Sequence, residues 1–190
     1  ILGAHAELDK EYVKLCVETF DISPEIGCVG GILDTISLDE NSAAIALAMS
    51  SVFGVGNAHF RTGLKAGYVD TVAFGAYRKE VFERVGLFDS ALTRNQDDEF
   101  NFRLIQGGFR IYLNPNIRAK YYVRSTFSKL YKQYKQYGYW KVYVNRKFKV
   151  VTTLRQLAPP LWVLFLIALP FAWLIHPILG TMNLPLPPPA

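Results

Sequence analysis

Acidic residues stop at Glu99. All 16 lie within residues 1–99, beside 8 Lys and Arg, a balance of −8; residues 100–190 hold 13 Lys and Arg and no acid, a balance of +13. Such asymmetry excludes an evenly charged surface and points to an anionic partner for the second half, a nucleic acid or a membrane surface. Cysteine is scarce as well. Two residues, Cys16 and Cys28, cannot build a disulfide framework or a four-ligand zinc site alone, and read as small core residues. Three histidines show neither metal-ligand spacing nor the order of a Ser-His-Asp triad. The chain opens on Ile1-Leu2-Gly3, without Met and without a charged, apolar and cleavable leader pattern. No signal peptide is expected, and residues upstream are expected to be missing.

What is present suffices for a core: 190 residues, 51% apolar and 14% aromatic, one domain's worth. Apolar spacing predicts a helix from Asp9 to near Asp21, and small and β-branched residues predict a strand over 27–35. Asn41 is expected to cap a helix over 42–53. A glycine-rich loop, 54–67, follows and contains Arg61, taken as a substrate-binding candidate. A strand over 69–77, a short helix over 79–85 and a helix over 97–106 closed by Gly107-Gly108 come next. Strands are expected at 109–113 and 119–123. Strands alternating with helices predict an α/β layer architecture.

After Arg155 no residue is formally charged, and residues 157–179 are apolar apart from prolines and His176. About 20 residues of helix cross a bilayer core, so a transmembrane helix is expected over 157–180, with a Pro-rich tail over 181–190. The basic residues before it, within 118–156, predict a cytoplasmic flank at the inner membrane. Over 126–147 a helix rich in Lys, Tyr and Trp is expected to lie in the membrane interface. Adjacency to an apolar span displaces the nucleic-acid reading, and no nucleic acid is expected as partner.

Asp97-Asp98-Glu99, opening a helix, is the strongest candidate for chemistry. Acids in a first helical turn complement the macrodipole and free N–H groups, and Glu99 with Arg103 is spaced as a helix-surface ion pair. Adjacent carboxylates also repel, which raises at least one pKa and is a route to a general base. Gly54-Val55-Gly56-Asn57-Ala58-His59 holds two glycines of a dinucleotide fingerprint, but His stands at the third. Trp140 beside Lys141 suits either sugar stacking or a membrane boundary.

The run "VDTVAFGAYRKEVFERVGLFDSALTRNQDDEFNFRLIQGGFRIYLNP", continued by "RSTFSKLYKQYKQYGYWKV", resembles the C-terminal half of family 2 glycosyltransferases. More narrowly it is similar to the membrane-attached enzymes of bacterial exopolysaccharide assembly, the succinoglycan glucosyltransferase type. The resemblance implies the C-terminal half of a GT-A, Rossmann-like domain, a nucleotide-sugar donor, a lipid-linked or polysaccharide acceptor, and inversion assisted by a divalent metal, Mg or Mn. It implies that Asp97 is the general base with Asp98 beside it for substrate, Gln96 standing where the family carries Glu. Gln136 and Trp140 match the ends of a Gln-x-x-Arg-Trp motif near donor diphosphate and acceptor. Tyr139 replaces its Arg, leaving Lys141 or Arg124 to supply the cation. "GAHAELDKEYV" resembles the metal-binding segment, which implies His5 as a metal ligand, but Gly3 stands where the family has Asp and offers no side-chain ligand.

The expected layout is a partial catalytic domain over 1–117, a basic juxtamembrane region over 118–156, the span and the tail. The expected activity is glycosyl transfer in exopolysaccharide synthesis by a fragment lacking its donor-binding half. The alternative is a catalytically silent, membrane-anchored module.

Overall fold

The computed structural model describes residues 6–55, 58–63, 65–151 and 157–180. They fall into two units, 1–150 and 151–190. The first is built on a mixed five-stranded sheet. Its strands are β1 (Ala6–Leu8), β2 (Ile26–Ile36), β3 (Gly67–Val69), β4 (Ala73–Tyr77) and β5 (Arg110–Tyr122), in the order β1-β5-β2-β4 with β3 also against β5. β2 and β5 run parallel at the centre, and every other pairing is antiparallel. β2 is buried from Ile26 to Leu33, as its unbroken apolar and glycine run demands of a strand covered on both faces. Gly31 permits the central pairing: a Cβ there would meet the Ile117 carbonyl oxygen at 1.9 Å.

One face of the sheet packs against α1 (Tyr12–Phe20) through Tyr12, Cys16, Val29, Leu33 and Ile117. The other packs against α5 (Lys79–Val85) and α6 (Gln96–Gln106) through Cys28, Ile32, Val81, Phe100, Leu104 and Ile111. Both cysteines are buried core residues. The remaining helices of this unit are α2 (Glu40–Ser50), α3 (Val52–Val55), α4 (His59–Thr62) and α7 (Phe127–Phe148).

Several boundaries depart from the sequence expectation for identifiable reasons. Asp39, not Asn41, caps α2, because its carboxylate accepts from the Ser42 amide at 2.7 Å while the Ser42 hydroxyl accepts from the Asp39 amide. The strand expected over 69–77 is two, β3 on β5 and β4 on β2. The strands expected at 109–113 and 119–123 are one, β5; Pro115 falls where the ladder to β2 skips from Leu113 to Arg118, so it removes no pairing donor. β5 runs through the boundary expected at 117, and α7 belongs to the same compact unit.

α8 (Ala158–Gly180) forms the second unit's helix. Its side chains from Leu161 to Phe171 are exposed and apolar. Among the described residues no helix is long and apolar enough to cross a membrane, so the span expected over 157–180 is not found.

Candidate active site

α6 brings the three acids together and then separates their environments. Phe100, on its inner side, is fully buried and packs against the Tyr77, Phe82 and Phe88 rings at centroid distances of 5.1, 5.1 and 4.4 Å, edge-on to Tyr77. Asn101 accepts from the Tyr77 hydroxyl at 3.0 Å and donates to Thr71 at 3.0 Å. This anchorage fixes which acid points where. Glu99 shares the buried side, while Asp97 and Asp98 lie on the open rim.

Glu99 has no exposed side-chain surface. Its two oxygens accept from Arg103 Nε and Nη2, each at 2.8 Å, and one also accepts from Lys147 Nζ at 2.7 Å. Arg103 further donates to the Val85 and Leu87 carbonyls, and Lys147 to Asp89 at 2.6 Å. Burial alone would raise the Glu99 carboxyl, but these charged hydrogen bonds outweigh it and hold the group below its ordinary range. The pair expected on a helix surface is therefore a buried network closed by a residue 48 positions away.

Asp97 is the opposite case. It keeps an open face to water. Protein nonetheless crowds it closely enough that desolvation, and next the charge of Asp98, raise its carboxyl above the ordinary range. Asp98 donates its amide to Asp97 Oδ1 at 3.0 Å and takes hydrogen bonds from Lys141 at 2.9 Å and Asn95 at 3.1 Å. Lys141 is thus the cation nearest this pair of acids, and it opposes the upward shift at Asp97. Asn95 occupies the left-handed region, φ 59°, immediately before the helix, a conformation that Asn tolerates. Gln96 donates through its amide to the Leu92 carbonyl. An ionised glutamate has no proton to give, so this contact accounts physically for the amide at that position.

α7 closes the site from above. Thr126 caps it. Gln133, Tyr137, Trp140, Val144 and Lys147 follow steps of four and three, so they share one face. Gln133 and Val144 are buried, Lys141 and Lys147 bond to acids of the sheet domain, and the Phe148 ring lies 4.5 Å from Phe102. These two lysines are engaged within the protein. Gln136 accepts from Arg94 Nε at 3.2 Å, on the loop that leads into α6. Trp140 is half-buried between the Tyr139 and Tyr143 rings, at 5.5 and 5.7 Å.

Arg61, on α4, approaches from the other side. Its guanidinium lies 5.4 Å from the Tyr121 ring and 5.6 Å from Phe60. Tyr137 is within electrostatic reach of both Arg61 and Asp97. Arg124, the other candidate for the missing motif cation, donates to Gln133 at 3.0 Å, and Gln133 donates to the Tyr121 and Tyr137 hydroxyls. That Tyr–Gln bridge between Arg61 and the acids had no signal in the sequence beyond helical spacing.

His5 lies outside the described residues. Among the described residues no group of three or more His, Cys, Asp and Glu could hold a metal ion. Asp98 already has Lys141 and Asn95 as partners.

No family model matches the chain. It is similar to the dolichyl N-acetyl-alpha-D-glucosaminyl phosphate 3-beta-D-2,3-diacetamido-2,3-dideoxy-beta-D-glucuronosyltransferase of Methanococcus voltae, 38% identical over 152 residues, covering 77% of the chain and 47% of that protein. It is also similar to the succinoglycan biosynthesis protein ExoA of Rhizobium meliloti strain 1021, 27% identical over 158 residues, covering 83% of the chain and 48% of that protein. The chain spans about half the length of these curated relatives.

Proposed function

We propose that this chain carries the acceptor-activating part of an inverting, family 2 glycosyltransferase. The complete protein transfers a sugar from a nucleotide-sugar to a lipid-linked or polysaccharide acceptor in glycan synthesis. The observation that carries the reading is the environment of Asp97: a carboxylate open to ligand, made more basic by desolvation and by Asp98, on a helix locked in place by Phe100 and Glu99. In the transfer, Asp97 takes the proton of the acceptor hydroxyl. That oxygen bonds to the anomeric carbon from the face opposite the leaving nucleotide, which departs with the bonding pair. Lys141 steadies Asp98, and Asp98 in turn sets the basicity of Asp97. Gln136 and Trp140, on the face of α7 above the acids, contact donor phosphate or acceptor. The relative named for a dolichyl-phosphate-linked sugar supports a lipid-borne acceptor and a reaction at the cytoplasmic face of the membrane. The bare apolar surface of α8 supports the same placement.

The test is Asp97→Asn in the complete protein that contains residues 1–190. Transfer from a labelled nucleotide-sugar into the lipid or polysaccharide fraction is expected to fall by roughly 10²–10⁴-fold, with donor affinity nearly unchanged. Turnover within a few-fold of the parent would remove Asp97 from the role of base.

A further inference from the structure

A cavity of about 660 Å³ opens between the C-terminal part of β2, α4 and β5. Among its walls are Asp34, Thr35, Arg61, Arg118 and Lys120. Arg118 is paired bidentately with Asp34, and Lys120 with Glu7 at 3.4 Å. Arg61 differs. Its Nη1 is buried and has no hydrogen-bond partner among the described residues, and the Thr35 hydroxyl oxygen on the same wall is in the same condition. Withdrawal from water pulls the Arg61 pKa down, and the Tyr134, Tyr121 and Tyr137 hydroxyls oppose that. Leaving a guanidinium N–H and a hydroxyl buried without acceptors is costly, and the described residues do not supply the acceptor. The group that completes them must accept hydrogen bonds and carry negative charge.

We propose that the Arg61 cavity is an oxyanion site that binds a phosphate of the substrate. The choice of phosphate rests on the glycosyltransferase reading; the anion itself rests on Arg61 and Thr35. Arg118 is answered by Asp34 and Lys120 by Glu7, which leaves Arg61 as the wall's cation for an anion, a charge-assisted contact that phosphate oxygens make well. Tyr137 connects the two places, because it feels both the Arg61 guanidinium and the Asp97 carboxylate. Two sources share this chemistry: the diphosphate of a nucleotide donor and the phosphate of a lipid-linked acceptor.

The experiment is calorimetric titration of residues 1–190 with inorganic pyrophosphate at fixed ionic strength, followed by competition with uridine diphosphate and with geranyl phosphate. The parent is expected to bind pyrophosphate, and Arg61→Gln to bind it about tenfold more weakly or worse. Arg84→Gln, a cation outside the cavity wall, is expected to bind as the parent does. Competition by geranyl phosphate assigns the site to the acceptor, and competition by uridine diphosphate to the donor. Competition by neither overturns the proposal, as does an Arg61→Gln chain that binds pyrophosphate like the parent. A thermal-shift measurement guards against misfolding: pyrophosphate should raise the melting midpoint of the parent and leave that of a folded Arg61→Gln unmoved. Asp97→Asn separates the two readings, since it should lose transfer in the complete protein yet keep pyrophosphate binding. Normal transfer by Asp97→Asn together with Arg61-dependent binding would sink the base and leave the anion site standing.

Discussion

Two arginines are withdrawn from water in this domain, with opposite outcomes. Arg103 meets both oxygens of Glu99 and two backbone carbonyls, and lies 5.0 Å from the Phe100 ring. Arg61 meets aromatic rings and leaves a buried N–H unanswered among the described residues. The contrast repeats in the carboxylates: Glu99 is buried and neutralised on all sides, while Asp97, two residues earlier, is open and crowded by a like charge. A region whose polar groups are all answered is holding the fold. A region whose groups wait for partners is holding a place for a ligand. α6 carries one of each within its first turn.

The contrast breaks most visibly at Glu99. Glu99→Gln leaves Arg103 and Lys147 without their shared carboxylate and should lower stability by about 3 kcal/mol, the low end for a broken buried pair because both cations keep some contact with water. Urea denaturation of residues 1–150 plus the native remainder of the chain checks it. The pH dependence has a definite sign. The folded Glu99 carboxyl lies below its unfolded value of about 4.3, so its contribution is complete above that pH and is lost as pH falls through the folded pKa. The parent should therefore lose more stability on acidification than Glu99→Gln does. A parent and variant with superimposable acid limbs would count against the network.

A smaller effect is expected at Lys141. Lys141→Gln removes the cation bonded to Asp98, costing roughly 1–2 kcal/mol of stability. It also removes a charge that holds the Asp97 pKa down, so the acidic limb of the pH–rate profile should move to higher pH. A limb that stays in place would separate Lys141 from the base.

The smallest effect sharpens the contrast from the other side. The folded Asp97 carboxyl is raised, so the folded state binds its proton more tightly than the unfolded one. Its contribution then favours folding at low pH and is lost as pH rises from about 3.9 through the folded pKa. Asp97→Asn should consequently be slightly more stable than the parent at neutral pH and no more stable well below pH 4. Thermal midpoints at the two pH values measure the difference, and a destabilised Asp97→Asn at neutral pH would make Asp97 a structural residue like Glu99.

The sequence announced the local features and missed the meetings. α5 follows its expected bounds, and α1, β2 and α6 were legible from periodicity, composition and the Gly107-Gly108 stop. The pairing of Glu99 with Arg103 was legible because both sit one turn apart on the same helix. Its burial was not, since Lys147 and Asp89 come from other elements. Arg61 could be noticed as the arginine of a glycine-rich loop, but its aromatic surroundings depend on Tyr121 from β5 and Tyr137 from α7. The apolar C-terminal run was legible as a helix, and α8 is one, yet crossing a membrane was an inference from composition that the described helix does not meet.

The central parallel pair sets the order in which this molecule can assemble. Arg118 on β5 bonds Asp34 on β2 across 84 residues of chain, and α2, α4, β4, α5 and α6 all lie inside that loop. Closing a loop of that length costs roughly 4 kcal/mol of chain entropy before the strands return any of it. Contacts this distant in sequence slow folding, so local helices form early and the sheet centre is won late. Asp97 and Arg61 both lie inside that loop. Glu99 inside the loop and Lys147 beyond it, 48 residues apart, join α6 to α7, so that fastening too depends on a distant contact.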